Sequence, residues 1–228
     1  MRHLIAALAC MLATSALAED RTTLSVTGSG VATAAPDMAV VTIGVVESAA
    51  DASSAMDRVS DGVSRLLAAI SEVGLDDRDV QTTGLSVSPR YAPPRPNQTG
   101  PRVEMYQAAN SVTIRVRDLD LLGPLLGDLM GKGANALNGL RFDVADPAPL
   151  EATAERLAVE DAARTARNLA AAAGLTLGPI LSMSEGGQIG GGMPVMRSFE
   201  MAESAAVPVA GGEVSRAASV SIVYELLD

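Results

Sequence analysis

Once the first 18 residues are set aside, the chain contains no cysteine, no histidine and no tryptophan, because its one cysteine is Cys10 and its one histidine is His3. The missing thiol excludes disulfides, so stability must come from an ordinary core. The missing imidazole excludes Ser-His-Asp and Cys-His hydrolases. Without either group there are no zinc, haem or iron–sulfur sites of the usual kinds. Lys132 is the only lysine. Chemistry is thereby confined to carboxylates, tyrosine, hydroxyls and one amine. Two phenylalanines and three tyrosines are too few for the two aromatic girdles of a membrane barrel.

The opening "MRHLIAALACMLATSALA" reads as a secretory signal. Arg2 supplies the basic start, Leu4 to Leu12 the apolar stretch, and Ala16-Leu17-Ala18 the cleavage site, placing the cut after Ala18. The stretch is too short to span a bilayer. Cys10 does not read as a lipoprotein cysteine, since Ala7 stands where a lipobox wants leucine. The expected mature chain, Glu19 to Asp228, carries 16 basic residues (17 less Arg2) against 27 acidic ones, a net charge of −11. That balance disfavours nucleic acid and anionic lipid as partners. No later stretch is long and apolar enough to span a membrane.

Alternation of apolar and polar residues predicts strands over 22–33, 37–48, 79–91, 103–118, 137–146, 178–187 and 212–227. The first two are expected to pair. Met56, Val59, Val63, Leu66, Leu67 and Ile70 recur at helical steps, with Asp51 as N-cap and Gly74 just past the end. An Ala-rich helix follows Asp146-Pro147 and ends at Gly174, with Glu160 set to pair with Arg164. A short helix, Leu121 to Met130, joins the halves. Both halves run strand, long helix, Gly-Leu, strand, irregular loop, long strand. "AANSVTIRVRDLD" in the middle and "RAASVSIVYELLD" at the end would be equivalent strands of a duplicated unit, about 22–117 and 137–227. The expected fold is α+β: a single domain over 19–228, with an antiparallel-rich sheet carrying long amphipathic helices on one face.

The ordered set of stretches resembles the SIMPL-domain (YggE-like) family of periplasmic proteins. "VTGSGVATAAPDMAVVTIGV", with Gly28, Gly30, Pro36 and Asp37, is similar to that family's opening. "VSPRY", Tyr106 with "AANSVTIRVRDLD", "GANALNGLRF" and "AVEDAARTARNLAAAAGLTLGPI" follow in the family's order. The resemblance covers Thr22 to Leu227. It implies an exported, envelope-associated protein. Some members of that family are immunogenic, are linked to oxidative-stress tolerance and assemble into ring- or channel-like oligomers. It implies no catalytic residue.

The remaining motifs read as structure. Gly28-Ser29-Gly30 lacks the third glycine of a phosphate loop and reads as a bulge or turn. Gly131-Lys132-Gly133 has Gly133 where a P-loop needs Ser or Thr, so it reads as a helix exit. Asp76, Asp77 and Asp79 could offer oxygens to calcium, but a solvated turn is the better reading. Glu104 and Glu200 read as surface charge, and Asn97-Gln98-Thr99 as loop. Met193, Met196 and Met201 suit adaptable contacts or oxidation, with thioether copper binding as the lesser alternative. The two long loops are expected to mediate subunit or partner contacts, through Pro93, Pro94, Pro96, Gly187, Gly191, Met193, Met196 and Phe199. The resulting expectation is a non-enzymatic, self-assembling periplasmic protein without cofactor or metal, with copies of itself and envelope components as partners. The alternative is a binding module for a small molecule, metal or cell-wall fragment.

Overall fold

The computed structural model describes residues 21–95, 100–186 and 210–228. Among these residues seven strands and three α-helices follow in the order β1 (Thr23–Ala34), β2 (Met38–Ala49), α1 (Ala52–Glu72), β3 (Val80–Tyr91), β4 (Val103–Val116), α2 (Leu122–Gly131), β5 (Ala136–Asp143), α3 (Ala148–Ala172), β6 (Thr176–Gly186) and β7 (Val214–Leu227). The fold is α+β and every strand pair is antiparallel.

The expected single sheet is two sheets, ordered β3-β4-β2-β5 and β1-β7-β6. The expected pairing of the first two strands does not form. β1 pairs with β7 over its whole length, from Thr23 opposite Glu225 to Ala34 opposite Val214, without a bulge. The link to β2 contains Pro36 and lacks the two-residue glycine or asparagine turn of a tight hairpin, so the chain passes from one sheet to the other instead of reversing.

Each sheet carries its own long helix. α1 lies on β2 and β4. Leu66 of α1 is fully buried with Ile43 of β2, Ile114 of β4, and Leu122 and Leu129 of α2, and burying each such side chain contributes about 1.5–3 kcal/mol. The Asp51 carboxylate caps α1 by accepting from the Ser54 N–H at 2.9 Å. Gly74 ends it at φ +80°, a conformation in which glycine has no Cβ penalty. α3 starts within one residue of expectation: Pro147 already has helical angles, and the Asp146 carboxylate accepts from the Ala148 N–H at 3.1 Å. Glu160 pairs with Arg156 at 2.6 Å rather than with Arg164, which pairs with Asp161.

α3 lies chiefly on β1 and β7. Its buried ridge is Ala154, Ala158, Ala162, Ala166 and Ala170, one small residue per turn. Gly28 and Gly30 face that ridge, flanked by Val26 and Ala32. A Cβ built on Gly30 would stand 2.5 Å from the Ala158 nitrogen and closer still to the Ala154 oxygen. The two glycines are therefore neither bulge nor turn. They let the helix backbone rest directly on the strand.

Candidate interaction surfaces

Pro93 and Pro94 are exposed at the tip of the β3–β4 hairpin, which closes where the Ala92 N–H donates to the Arg102 carbonyl at 2.9 Å. Pro96, Gly187, Gly191, Met193, Met196 and Phe199 lie outside the described residues, as do Asn97, Glu200 and Met201. The strands flanking both loops pair as antiparallel neighbours, β3 with β4 and β6 with β7.

The sequence reading placed the strands that carry these loops but gave them no part in an interaction surface. β3 and β6 are each the edge of a sheet and lie on the flank away from the long helix. β3 is exposed along almost its whole length on both faces, with Leu85 62% accessible and Val87 and Tyr91 also open. Val103 and Met105 of β4 extend the apolar surface toward the hairpin tip. On β6, Ile180, Leu181 and Met183 are each nearly half exposed. An unpaired strand edge with exposed apolar side chains is a template for pairing with another chain. The signal lay in the alternation itself, since "GLSVSPRY" and "PILSMSE" each place apolar residues on a strand with no amphipathic helix to cover them.

The other two edges have charged groups on or beside them. β5 bears Arg141 and Asp143. On β1 the Ser29 N–H, which points away from β7, donates to the Asp161 carboxylate of α3 at 3.1 Å. That bond, with the Arg164 guanidinium beside it, holds the Asp161 carboxyl below its ordinary range. Between the outer edge of β1 and α3 runs an open groove of about 760 Å³, lined by Ser29, Val31, Leu157, Asp161, Arg164 and Arg167, among others.

The remaining candidates resolve as structure. Asp79 is only 4% exposed and is gripped by Arg117 in a two-bond fork at 2.7 and 2.8 Å, so the turn it sits in is not fully solvated as expected. The fork, working against burial, lowers the Asp79 pKa. Asp76 pairs with Arg78 at 3.0 Å. Among the described residues no group of three or more Asp, Glu, His or Cys could hold a metal ion. Lys132 caps the end of α2, with Gly133 at φ +110°, the helix exit expected. Glu104 is exposed on β4. At the junction of the two sheets Arg216 of β7 donates to Asp143 at 2.7 Å and stands 3.8 Å from Glu151. Burial raises the Asp143 pKa, but Arg216 and the Val144 N–H together outweigh it and the net shift is downward. No helix among the described residues is long and apolar enough to cross a membrane.

Residues 24–224 match the SIMPL family, described as a protein of unknown function (DUF541). The chain is 33% identical over 210 residues, covering 89% of this chain and 84% of the relative, to a "26 kDa periplasmic immunogenic protein" of Brucella melitensis. It is 30% identical over 156 residues to YggE, an uncharacterized protein of Edwardsiella ictaluri, covering 68% of this chain and 64% of the relative. It is 27% identical over 190 residues to YggE of Escherichia coli, covering 80% and 76% respectively. The Gly28-x-Gly30 strand, the alanine-ridged helix seated on it and the two uncovered hairpins are the form the fold takes here, in a chain that belongs to the SIMPL family.

Proposed function

We propose that this is a non-enzymatic periplasmic protein that assembles with copies of itself, the β6 edge of one copy pairing with the β3 edge of the next, in cell-envelope maintenance or protection against oxidative stress. The observation that carries the reading is the pair of apolar strand edges, β3 and β6, that no strand covers among the described residues and on which the long helices encroach only in part. Because α1 and α3 rest chiefly on the other strands of their sheets, most of each outer flank is open to an added strand. A contact between two different edges is head-to-tail, and such contacts close into rings when the rotation per copy allows. The two hairpins would be corresponding parts of a duplicated unit, which supports their pairing with one another. Pro93 and Pro94, just past the end of β3, would then lie beside the joints.

The periplasmic location rests on the signal-like opening and on the relative named periplasmic. The stress role is supported by Met105 and Met183, exposed on the two hairpins in a chain whose expected mature form has no thiol. Oxidation to the sulfoxide would make them polar and loosen the joints. Light scattering coupled to size exclusion, on residues 19–228 with and without Leu85→Glu, tests the reading. A discrete large species that Leu85→Glu disperses supports it, and a monomer at every concentration refutes it.

A further inference from the structure

The two sheets differ at one position. β2 has its outer edge taken by β5, and Asn135 continues the pairing by exchanging two 2.8 Å bonds with the backbone of Val46. β1 has β7 on one side and, among the described residues, no strand on the other. Backbone groups of alternate residues point the same way. The N–H and C=O groups of Thr27 and Val31 therefore face outward with the Ser29 N–H. β1 has no charged residue, no proline and no bulge, so it lacks the usual guards of a strand edge. Its guard is Asp161, whose carboxylate oxygen stands where a neighbouring strand's carbonyl would accept from Ser29.

We propose that the outer edge of β1 and the flank of α3 form a binding site for an extended, carboxylate-bearing segment of another polypeptide, taken up as an added strand. The flank from Leu157 to Asn168 is about 17 Å long at 1.5 Å per residue, enough for about five residues of strand. The ligand's charge follows from the rim. Glu160 is engaged by Arg156, and Asp161 by Ser29 and Arg164. Arg167 donates from its Nε to the Ala163 carbonyl of its own helix, and its terminal amino groups have no partner among the described residues. A ligand carbonyl would replace the Asp161 oxygen on Ser29, and a ligand carboxylate would meet Arg167 and, once released from Asp161, Arg164. Val31, 58% exposed, supplies apolar contact.

A second copy of this chain is a poor occupant. α3 rests directly on β1. Two β1 strands joined antiparallel, about 5 Å apart, would bring the two α3 helices seated on them side by side on one face, where packed helices need roughly 8–10 Å. A strand that brings no helix fits.

The probe is the fluorescein-labelled, amidated pentapeptide Thr-Val-Glu-Val-Thr, followed by anisotropy and by 15N amide shifts. Saturable binding is expected, with shifts centred on Thr27, Ser29 and Val31. Replacing the peptide's glutamate by lysine, or Arg167→Glu in the protein, should weaken binding about tenfold, the order of one charge-assisted hydrogen bond. Methylating alternate peptide nitrogens should abolish it. Val31→Pro, which removes an outward N–H at an edge that tolerates proline, should also abolish it without lowering the melting temperature. Equal binding of the lysine peptide, shifts confined to β3 or β6, or no binding at millimolar peptide would each overturn the proposal. So would a change of subunit number, rather than of peptide affinity, in Arg167→Glu.

Discussion

Replacing Gly30 by alanine tests whether α3 rests on the backbone of β1. The new Cβ would lie 2.5 Å from the Ala158 nitrogen and closer still to the Ala154 oxygen, whereas ordinary contact begins at 3.4 Å, so the helix must retreat by more than about 0.9 Å. The obstructing atoms are the Ala154 oxygen and the Ala158 nitrogen, both backbone, and the Leu157 Cβ, which is fixed to it, so no side-chain rotation relieves them. The retreat opens the ridge from Ala154 to Ala170, whose alanines are at most 2% exposed. Overpacking of a tight core costs about 1–3 kcal/mol, and an obstacle of rigid backbone puts this case at the upper end. The opposing effect is smaller: removing glycine's freedom from the unfolded chain stabilises by about 0.4–1 kcal/mol. The expected net loss is about 2–3 kcal/mol, a fall of roughly 4–12 °C in melting temperature for a domain of this size. Thermal unfolding followed by far-ultraviolet circular dichroism reads it directly. Gly127→Ala on α2 is the control, because a Cβ there meets nothing within 4 Å and alanine should stabilise the helix by up to about 1 kcal/mol. If Gly30→Ala melts with the wild type, the direct seating of α3 on β1 is wrong.

Asp79→Asn removes the charge from the fork with Arg117 and should lower stability by about 2 kcal/mol in chemical denaturation, since the remaining amide cannot satisfy both donors. Asp79 and Asp143 both have folded pKa values below their ordinary 3.8. Their contribution is therefore complete above about pH 4 and is lost as pH falls through the lower, folded values. A denaturation midpoint measured between pH 6 and pH 2 should drop in that acid window, and less steeply in Asp79→Asn. Gly174→Ala, at φ +74°, should cost about 1 kcal/mol at the exit of α3, seen as a lower melting temperature. Limited peroxide oxidation should modify Met105 and Met183 before any buried methionine and shift the assembly toward smaller species, read by peptide mass mapping and light scattering.

Strands and helices were legible in the sequence because their periods were clean: Asp51, Gly74 and Gly174 mark helix ends where the structure has them. The division into two sheets was not. Nothing local in "VTGSGVATAAPDMAVV" says that β1 pairs with the last strand of the chain rather than with the next one. That choice is made by non-local packing of Gly28 and Gly30 against Ala158 and Ala162. The glycine pair looked like a bulge because close approach to a helix leaves the same mark in sequence. Asp79 looked solvated for a similar reason, since its partner Arg117 lies 38 residues away. The two loops drew attention in the sequence, whereas the exposed apolar residues Leu85, Val87, Ile180 and Met183 lie on the strands beside them.

The most direct test of head-to-tail assembly is a mixing experiment on residues 19–228. One variant carries Leu85→Glu with Val87→Glu to block the β3 edge. The other carries Ile180→Glu with Met183→Glu to block β6. Each retains one good edge, so each alone should be monomeric, and the equimolar mixture should give a one-to-one heterodimer in sedimentation velocity. A mixture that stays monomeric, or variants that still assemble alone, would contradict the account.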